Sequence, residues 1–91
     1  MLARFSLGTI VETPGALAVL NEAGQSQSEF LFRHVIGDWG DVDADDQQAN
    51  EDALLNGERI LSAYRTNRGV KLWIITEADR SVTTLLLPEE Y

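Results

Sequence analysis

Three runs rich in β-branched, aliphatic and aromatic residues fill the last third of the chain and constrain its fold most strongly. They span residues 59–66, 70–76 and 81–87. Runs of this composition are typical of strands. The intervening residues 67–69 and 77–80 are too few for a helix, and loops this short join antiparallel neighbours. The sequence therefore predicts a three-stranded antiparallel β-meander.

A strand and a first helix are predicted before the meander. Residues 4–11 place apolar or β-branched side chains at alternate positions, as in a strand with one buried face. Thr13 is suited to cap the following helix, and Pro14 at its first position loses only an N–H that the first turn leaves unpaired. Gly24 is placed to end this helix in the left-handed conformation.

Two further short helices are predicted from their end signals. Ser26 followed by Glu29 has the pattern of a capping box, and Gly37 would end that helix. Asp43 would cap the third helix, and Gly57 would end it. The third helix has only a weak apolar face, so we expect it to lie on the surface.

The length of 91 residues favours one small domain spanning residues 1–91. Its predicted fold class is α+β: an N-terminal strand, three short helices and then the three-stranded antiparallel β-meander, whose sheet the first strand is free to join. The absence of cysteine excludes disulfides and thiolate catalysis. No signal-peptide pattern and no stretch of about 18 apolar residues is present, so we expect a cytoplasmic protein without a membrane partner.

Acidic residues dominate the charge of the chain, with 15 Asp and Glu against 7 Lys and Arg and a net charge of −8. Recognition of phosphates needs clustered cations, so we expect no direct nucleic-acid partner. Residues 38–52 contain no basic residue, and their negative field favours encounter with a basic protein. Trp39 is either a core anchor or an interface hot spot. The leading hypothesis is a non-enzymatic protein-binding module whose contact residues are Asp38, Trp39, Asp41, Asp43, Asp45, Asp46, Glu51 and Asp52.

The same acidic stretch only partly matches a calcium-binding loop. Asp41, Asp43 and Asp45 occupy alternate positions, and Asp52 falls twelfth. Asp46 stands where the sharp turn needs glycine, and Asp52 is shorter than the bidentate Glu of such loops. We therefore predict no metal site and no cofactor.

A small ribonuclease or hydrolase is the alternative hypothesis. Arg65 and Lys71 on the predicted meander would hold phosphate, and His34 or Tyr64 would transfer a proton. His34 is the only histidine and lies among apolar residues of the predicted second helix, which favours a hydrogen-bonded boundary residue. Asp38, four residues later, is spaced to orient its ring if the helix continues.

Trp73 and Ile75 lie on the opposite side of the middle strand from Leu72 and Ile74. One of these faces packs on the core, and the other needs cover from helices or from a partner. A structural or regulatory homodimer through the Trp73 and Ile75 face is therefore a further alternative.

Five stretches together resemble a family of short acidic proteins carried by plasmids, phages and genomic islands, some of which are labelled as type I restriction subunits. The stretches are TPGAL at 13–17, GDWGD at 37–41, RILSAY at 59–64, WIITEADRSVTT at 73–84 and PEEY at 88–91. The resemblance implies a mobile-element setting and an inhibitor of a host defence system, anti-restriction or anti-CRISPR. Such an inhibitor would block a basic nucleic-acid-binding protein electrostatically. A methyltransferase role is not implied, because the chain lacks the glycine-rich cofactor motif.

Overall fold

In the described part of the chain, three helices and one four-stranded sheet form the fold, which confirms the predicted α+β class. The computed structural model describes residues 2–91. The elements in chain order are β1 (Thr9–Glu12), α1 (Pro14–Ala23), α2 (Gln27–Val35), α3 (Ala44–Asn56), β2 (Ile60–Arg65), β3 (Lys71–Thr76), β4 (Val82–Leu86) and a single 3-10 turn (Pro88–Glu90).

The sheet is mixed and has the strand order β1-β4-β3-β2. β2, β3 and β4 are consecutive antiparallel neighbours, as predicted. β1 adds a fourth strand parallel to β4, with Thr9 opposite Val82 and Glu12 opposite Leu85. The predicted antiparallel meander is thus part of a four-stranded mixed sheet, and the purely antiparallel three-stranded arrangement is corrected by the parallel β1. β1 also starts later than predicted, because Gly8 has a φ of +65° and interrupts the extended backbone.

Local sequence signals set two of the three helix starts. The side chains of Thr13 and Asp43 each accept a hydrogen bond from the backbone N–H three residues later, and this capping satisfies a donor that the first turn leaves free. The predicted side-chain cap at Ser26 does not form. Its hydroxyl instead lies 2.9 Å from that of Ser28. α2 therefore starts at the expected place without the expected capping box.

α1 and α2 cover one face of the sheet, and α3 lies beside β2 at its edge. The main buried cluster joins both helices to the inner sheet residues, and comprises Ala16, Leu20, Phe30, Leu31, Tyr64, Leu72, Ile74 and Leu85. A second cluster joins α3 to the sheet edge through Trp39, Ala53 and Ile60. The opposite face of the sheet carries Trp73 and Ile75, and the margin of α3 and Tyr91 lie beside it.

The outer edge of β2 is satisfied by polar groups from outside the sheet. The Asn50 side chain on α3 donates to the Leu61 carbonyl at 2.8 Å and accepts from the Leu61 N–H at 3.1 Å. Ala63 donates its N–H to the Trp39 carbonyl at 3.0 Å and accepts from the Asp41 N–H at 2.6 Å. Because an unpaired edge is a template for aggregation, these contacts both protect β2 and fix residues 38–52 beside it.

Candidate functional site

The acidic segment, residues 38–52, contains two groups of carboxylates that differ in their partners. Three of them lie in ion pairs: Arg33–Asp38 at 2.7 Å, Arg4–Glu51 at 2.8 Å and Arg65–Asp41 at 3.5 Å. Hydrogen bonds from Arg33 and Arg4 hold the pKa values of Asp38 and Glu51 below their ordinary values. This part of the expected contact surface is therefore neutralised within the molecule.

The remaining four carboxylates form no ion pair with any residue from 2 to 91. Asp43 caps α3, and Asp46 lies in its first turn near β2. Asp45 and Asp52 lie seven residues apart, close to two helical turns, so both occupy the outer side of α3. The structure thus leaves four carboxylates without an ion pair at the start and on the outer side of α3, fewer than the seven acidic residues that the sequence predicts for the contact surface.

Trp39 is a core residue at the centre of the acidic segment. Its side chain is buried, with 5% of the residue exposed, and stacks on Phe5 at a centroid distance of 6.2 Å. The indole N–H donates to Glu51 Oε2 at 3.1 Å. A buried aromatic ring whose donor is already satisfied acts as an anchor, because it offers little surface for a partner to contact.

The four residues of the alternative catalytic set do not come together. His34 and Tyr64 are buried on the helix-covered side of the sheet. Arg65 and Lys71 are exposed and lie opposite each other at the end of β2 and β3. Neighbouring residues of a strand point to opposite faces, so the Arg65 side chain is on the other side of the sheet from Tyr64. No shared cleft joins the proton-transfer candidates to the cations.

His34 is the centre of a buried chain of hydrogen bonds. Its Nδ1 lies 2.6 Å from Ser62 Oγ, and its Nε2 lies 2.9 Å from Thr76 Oγ1. Thr76 Oγ1 is 2.7 Å from Thr83 Oγ1, which donates to the Leu7 carbonyl at 2.7 Å. A carbonyl can only accept, so Thr83 must accept from Thr76, and Thr76 must accept from His34. The ring therefore carries its proton on Nε2, and Ser62 donates to Nδ1.

His34 stays neutral under ordinary conditions. Burial, with a smaller contribution from the charge of Arg80, lowers the pKa of its imidazole to about 3. Both ring nitrogens are occupied by protein hydroxyls, and the residue has no exposed surface. A catalytic histidine needs access to substrate and a pKa near the working pH. The arrangement of His34 is that of a structural residue, and Asp38 pairs with Arg33 rather than with its ring.

Tyr64 is likewise committed to internal contacts. Its hydroxyl donates to the Asp38 carbonyl at 2.6 Å, and the Arg33 guanidinium lies 4.5 Å from its ring centroid. Burial raises the pKa of the phenol above its ordinary value. This contact fixes the start of the acidic segment against β2.

A shallow groove of about 280 Å³ lies between α3 and the Trp73 side of the sheet. Its lining residues are Asp46, Ala49, Asn50, Arg59, Leu61 and Trp73. Tyr91 packs edge-on against Trp73 at 5.8 Å and accepts a hydrogen bond from Arg59. Ile75 has only 4% of its surface exposed. The Trp73 and Ile75 face is therefore partly covered from within the chain. Its expected role as a dimer interface stays a prediction.

Arg80 has a structural role that no sequence pattern predicts. It has a φ of +62°, which is unusual for a side chain other than glycine, and its guanidinium donates to four backbone carbonyls. Two of these belong to Ala53 and Glu58, so the cation lies at the C-terminal end of α3 where the helix dipole favours it. The pattern of the sequence suggests only a local pair with Glu77 or Asp79, and contains no signal for this contact.

Comparisons with protein-family models, with curated proteins and with solved structures found no match to this chain. Within residues 2–91, no group of three or more His, Asp or Glu side chains is arranged to hold a metal ion. None of the helices in this part of the chain is both long and apolar enough to cross a membrane.

Proposed function

We propose that this protein is a non-enzymatic binding module that contacts a basic protein through the exposed carboxylates at the start and on the outer side of α3. The observation that supports the proposal is the set of unneutralised carboxylates at Asp43, Asp45, Asp46 and Asp52. The other acidic side chains of the segment are paired with arginines. Unpaired exposed charges keep their full attraction for an approaching cation, so this face steers association with a positively charged surface.

Leu55 adds an apolar contact to the same region. It is 86% exposed, and it lies three residues after Asp52 on α3. Residues three apart are neighbours on a helix, so the leucine lies beside the carboxylate. An exposed leucine bordered by acidic residues suits a partner that combines basic and apolar side chains. Neither α1 nor α2 gathers unpaired carboxylates in its first turn in this way.

The partner class follows from the resemblance to short acidic proteins of mobile elements. We take the partner to be a basic nucleic-acid-binding protein of a host defence system, and the function to be inhibition by electrostatic blocking in the cytoplasm. The geometry compatible with this function is that α3 alone places its carboxylates in part of a cationic channel of the partner. Hydrolysis has no comparable support, because His34 and Tyr64 are buried away from Arg65 and Lys71.

The proposal is tested by adding the purified protein to cleavage assays with a type I restriction enzyme and with a CRISPR effector nuclease. Inhibition of either should weaken steeply as salt rises, because exposed charges are screened. The triple variant Asp45→Asn, Asp46→Asn, Asp52→Asn should lose at least about tenfold in inhibitory potency.

A matched control neutralises three exposed acids outside the segment, Glu22→Gln, Glu29→Gln and Glu77→Gln, with the same change in net charge. This control should retain most of the potency if α3 is the contact face. Equal losses in both triple variants would contradict a localised site. Absence of inhibition in both assays would reject the proposed targets.

A further inference from the structure

The two edges of the sheet differ in whether other parts of the chain pair with their outer backbone groups. The outer edge of β2 is occupied by the Asn50 side chain and by the backbone of Trp39 and Asp41. β1 is the first strand in the sheet order and has a neighbour only on its β4 side. Proteins normally protect an exposed edge with lysine, proline, a bulge or a covering segment. β1 is a short strand whose sequence Thr-Ile-Val-Glu contains neither lysine nor proline, and its single charged residue is the terminal Glu12.

The backbone of β1 presents free hydrogen-bonding groups to solvent. The Thr9 N–H donates to the Ser81 carbonyl at 2.9 Å, and the Thr13 N–H donates to the Leu85 carbonyl at 3.0 Å. Backbone groups alternate in direction along an edge strand paired on one side only. Odd-numbered residues here face β4, so the N–H and C=O groups of Ile10 and Glu12 point away from the sheet.

The side chains at this edge are apolar and exposed on both faces. Ile10 lies opposite Thr83 on the helix-covered side and is 36% exposed. Val11 lies opposite Thr84 on the other side and is 43% exposed. β-branched residues in cross-strand pairs stabilise strand pairing. A strand with outward backbone groups and exposed β-branched side chains is suited to pair with another strand.

We propose that the outer edge of β1 pairs with β1 of a second copy of this chain. An antiparallel arrangement with Ile10 opposite Ile10 of the other copy places Thr9 opposite Val11 and Glu12 opposite Gly8. All cross-strand pairs formed by residues 9–11 then consist of uncharged, β-branched residues. Paired residues keep the same face, so the two sheets form one continuous eight-stranded sheet, and the two-fold axis makes the contact self-complementary.

The charge distribution favours a second copy at this edge over the other surfaces of the molecule. α3 lies beside β2, at the far side of the sheet from β1. In the proposed dimer seven inter-strand steps separate the two β2 strands by roughly 34 Å, and the acidic helices lie beyond these strands. This distance exceeds the screening length of about 8 Å at physiological salt. Contact through the Trp73 side would instead bring the two anionic helix margins close together.

Mass measurement by sedimentation or light scattering from micromolar to millimolar protein tests the proposal. The wild-type protein should convert from monomer to dimer with concentration. Ile10→Pro removes the outward N–H while the odd-numbered residues keep their bonds to β4, so it should weaken dimerisation at least about tenfold. Ile10→Val keeps the N–H and a β-branched side chain, and should dimerise like the wild type.

A second variant and a second probe keep the test independent of folding defects. Ile10→Lys retains the backbone N–H but places two like charges at the two-fold axis, and should also weaken dimerisation while circular dichroism stays unchanged. Amide exchange at Ile10 and Glu12 should slow in the dimer.

A wild type that stays monomeric at millimolar concentration overturns the proposal. A dimer that neither Ile10→Pro nor Ile10→Lys weakens also overturns the proposal. This includes a dimer that both Ile10 variants leave intact and that Trp73→Ala abolishes. The Asp45, Asp46 and Asp52 triple variant should dimerise normally, which separates this result from that of the proposed function.

Discussion

In the core, His34 Nδ1 accepts a 2.6 Å hydrogen bond from Oγ of Ser62, which lies on β2, 28 residues later in the chain. This contact links α2 to β2 and holds an imidazole neutral where it has no exposed surface. A titratable ring in such a place makes the stability of the fold depend on pH in a window where few other groups titrate.

We expect acid to destabilise the protein before its carboxylates are protonated. The folded-state pKa of His34 is about 3 against an ordinary value of 6.5, so the unfolded chain binds more protons between these values. Stability is therefore fully present above the unfolded pKa and is lost as pH falls toward the folded one. The free energy of unfolding should decrease by about 2 kcal/mol from about pH 7 to about pH 5. Urea denaturation at several pH values measures this slope.

His34→Gln is the control for this pH dependence, because His34 is the only histidine in the chain. The variant should be less stable near neutral pH, and its stability should change much less over the same interval. Asp38 and Glu51, whose folded pKa values are also lowered, contribute only at more acidic pH. An equal slope in both proteins would show that His34 does not carry the effect.

Gly40→Ala should destabilise the fold strongly. Gly40 has a φ of +75°, and a Cβ there would lie 2.1 Å from the Ala63 carbonyl oxygen and 2.6 Å from the Tyr64 ring. We expect a loss of about 3 kcal/mol or more in thermal unfolding, because backbone strain and a backbone clash combine. Gly57→Ala is the matched control: its φ is +68°, with nothing within 4 Å of the added Cβ, so it should cost only about 1 kcal/mol. Similar losses at both positions would contradict the close approach at Gly40.

Asn50→Ala should release α3 from the edge of β2. The Asn50 side chain makes two hydrogen bonds to the backbone of Leu61, and its loss leaves the Leu61 N–H and C=O without these bonds. We expect a decrease of about 2 kcal/mol in stability and faster exchange of the Leu61 amide. Gln48→Ala removes an exposed amide from the same helix, where it contacts only Asp52, and should cost less than about 0.5 kcal/mol. Unchanged Leu61 exchange in the Asn50 variant would argue against the edge contact.

Arg80→Ala should loosen the C-terminal end of α3. The guanidinium donates to the Ala53 carbonyl at 3.0 Å and to the Glu58 carbonyl at 2.6 Å. We expect a loss of about 1–3 kcal/mol, since hydrogen bonds from a charged donor contribute more than neutral ones. Amide exchange should accelerate in the last turn of α3 rather than in its first. Arg68→Ala, a change at an exposed loop arginine, is the control and should leave both measurements near the wild-type values.

Features that depend on a few adjacent residues were predictable from the sequence. The caps at Thr13 and Asp43 and the antiparallel neighbours β2 and β3 are examples, because a cap or a short turn is decided within a few positions. The parallel pairing of β1 with β4 joins residues about 70 apart, and no local signal specifies it. Ser26 shows the opposite case, in which a correct local pattern places the helix start but the hydroxyl takes another partner.

The candidate site was predicted less well than the fold for a similar reason. The acidic stretch is visible in the sequence, but its neutralisation depends on distant cations such as Arg4, which pairs with Glu51 across 47 positions. The burial of Trp39 and His34 likewise depends on how α2, α3 and the N-terminal segment meet. Sequence alone identifies which residues are charged, whereas three-dimensional packing decides which charges remain free.

The buried hydrogen-bond chain from Ser62 through His34, Thr76 and Thr83 to the Leu7 carbonyl has one direction, because each link holds a single shared proton. Replacing one hydroxyl by a methyl group leaves its neighbours with a donor or an acceptor that has no counterpart. Evolutionary change along this chain should accordingly be concerted: a relative with an aliphatic residue in place of His34 should also have lost the hydroxyls of Ser62 and Thr76, while isolated replacements should be rare.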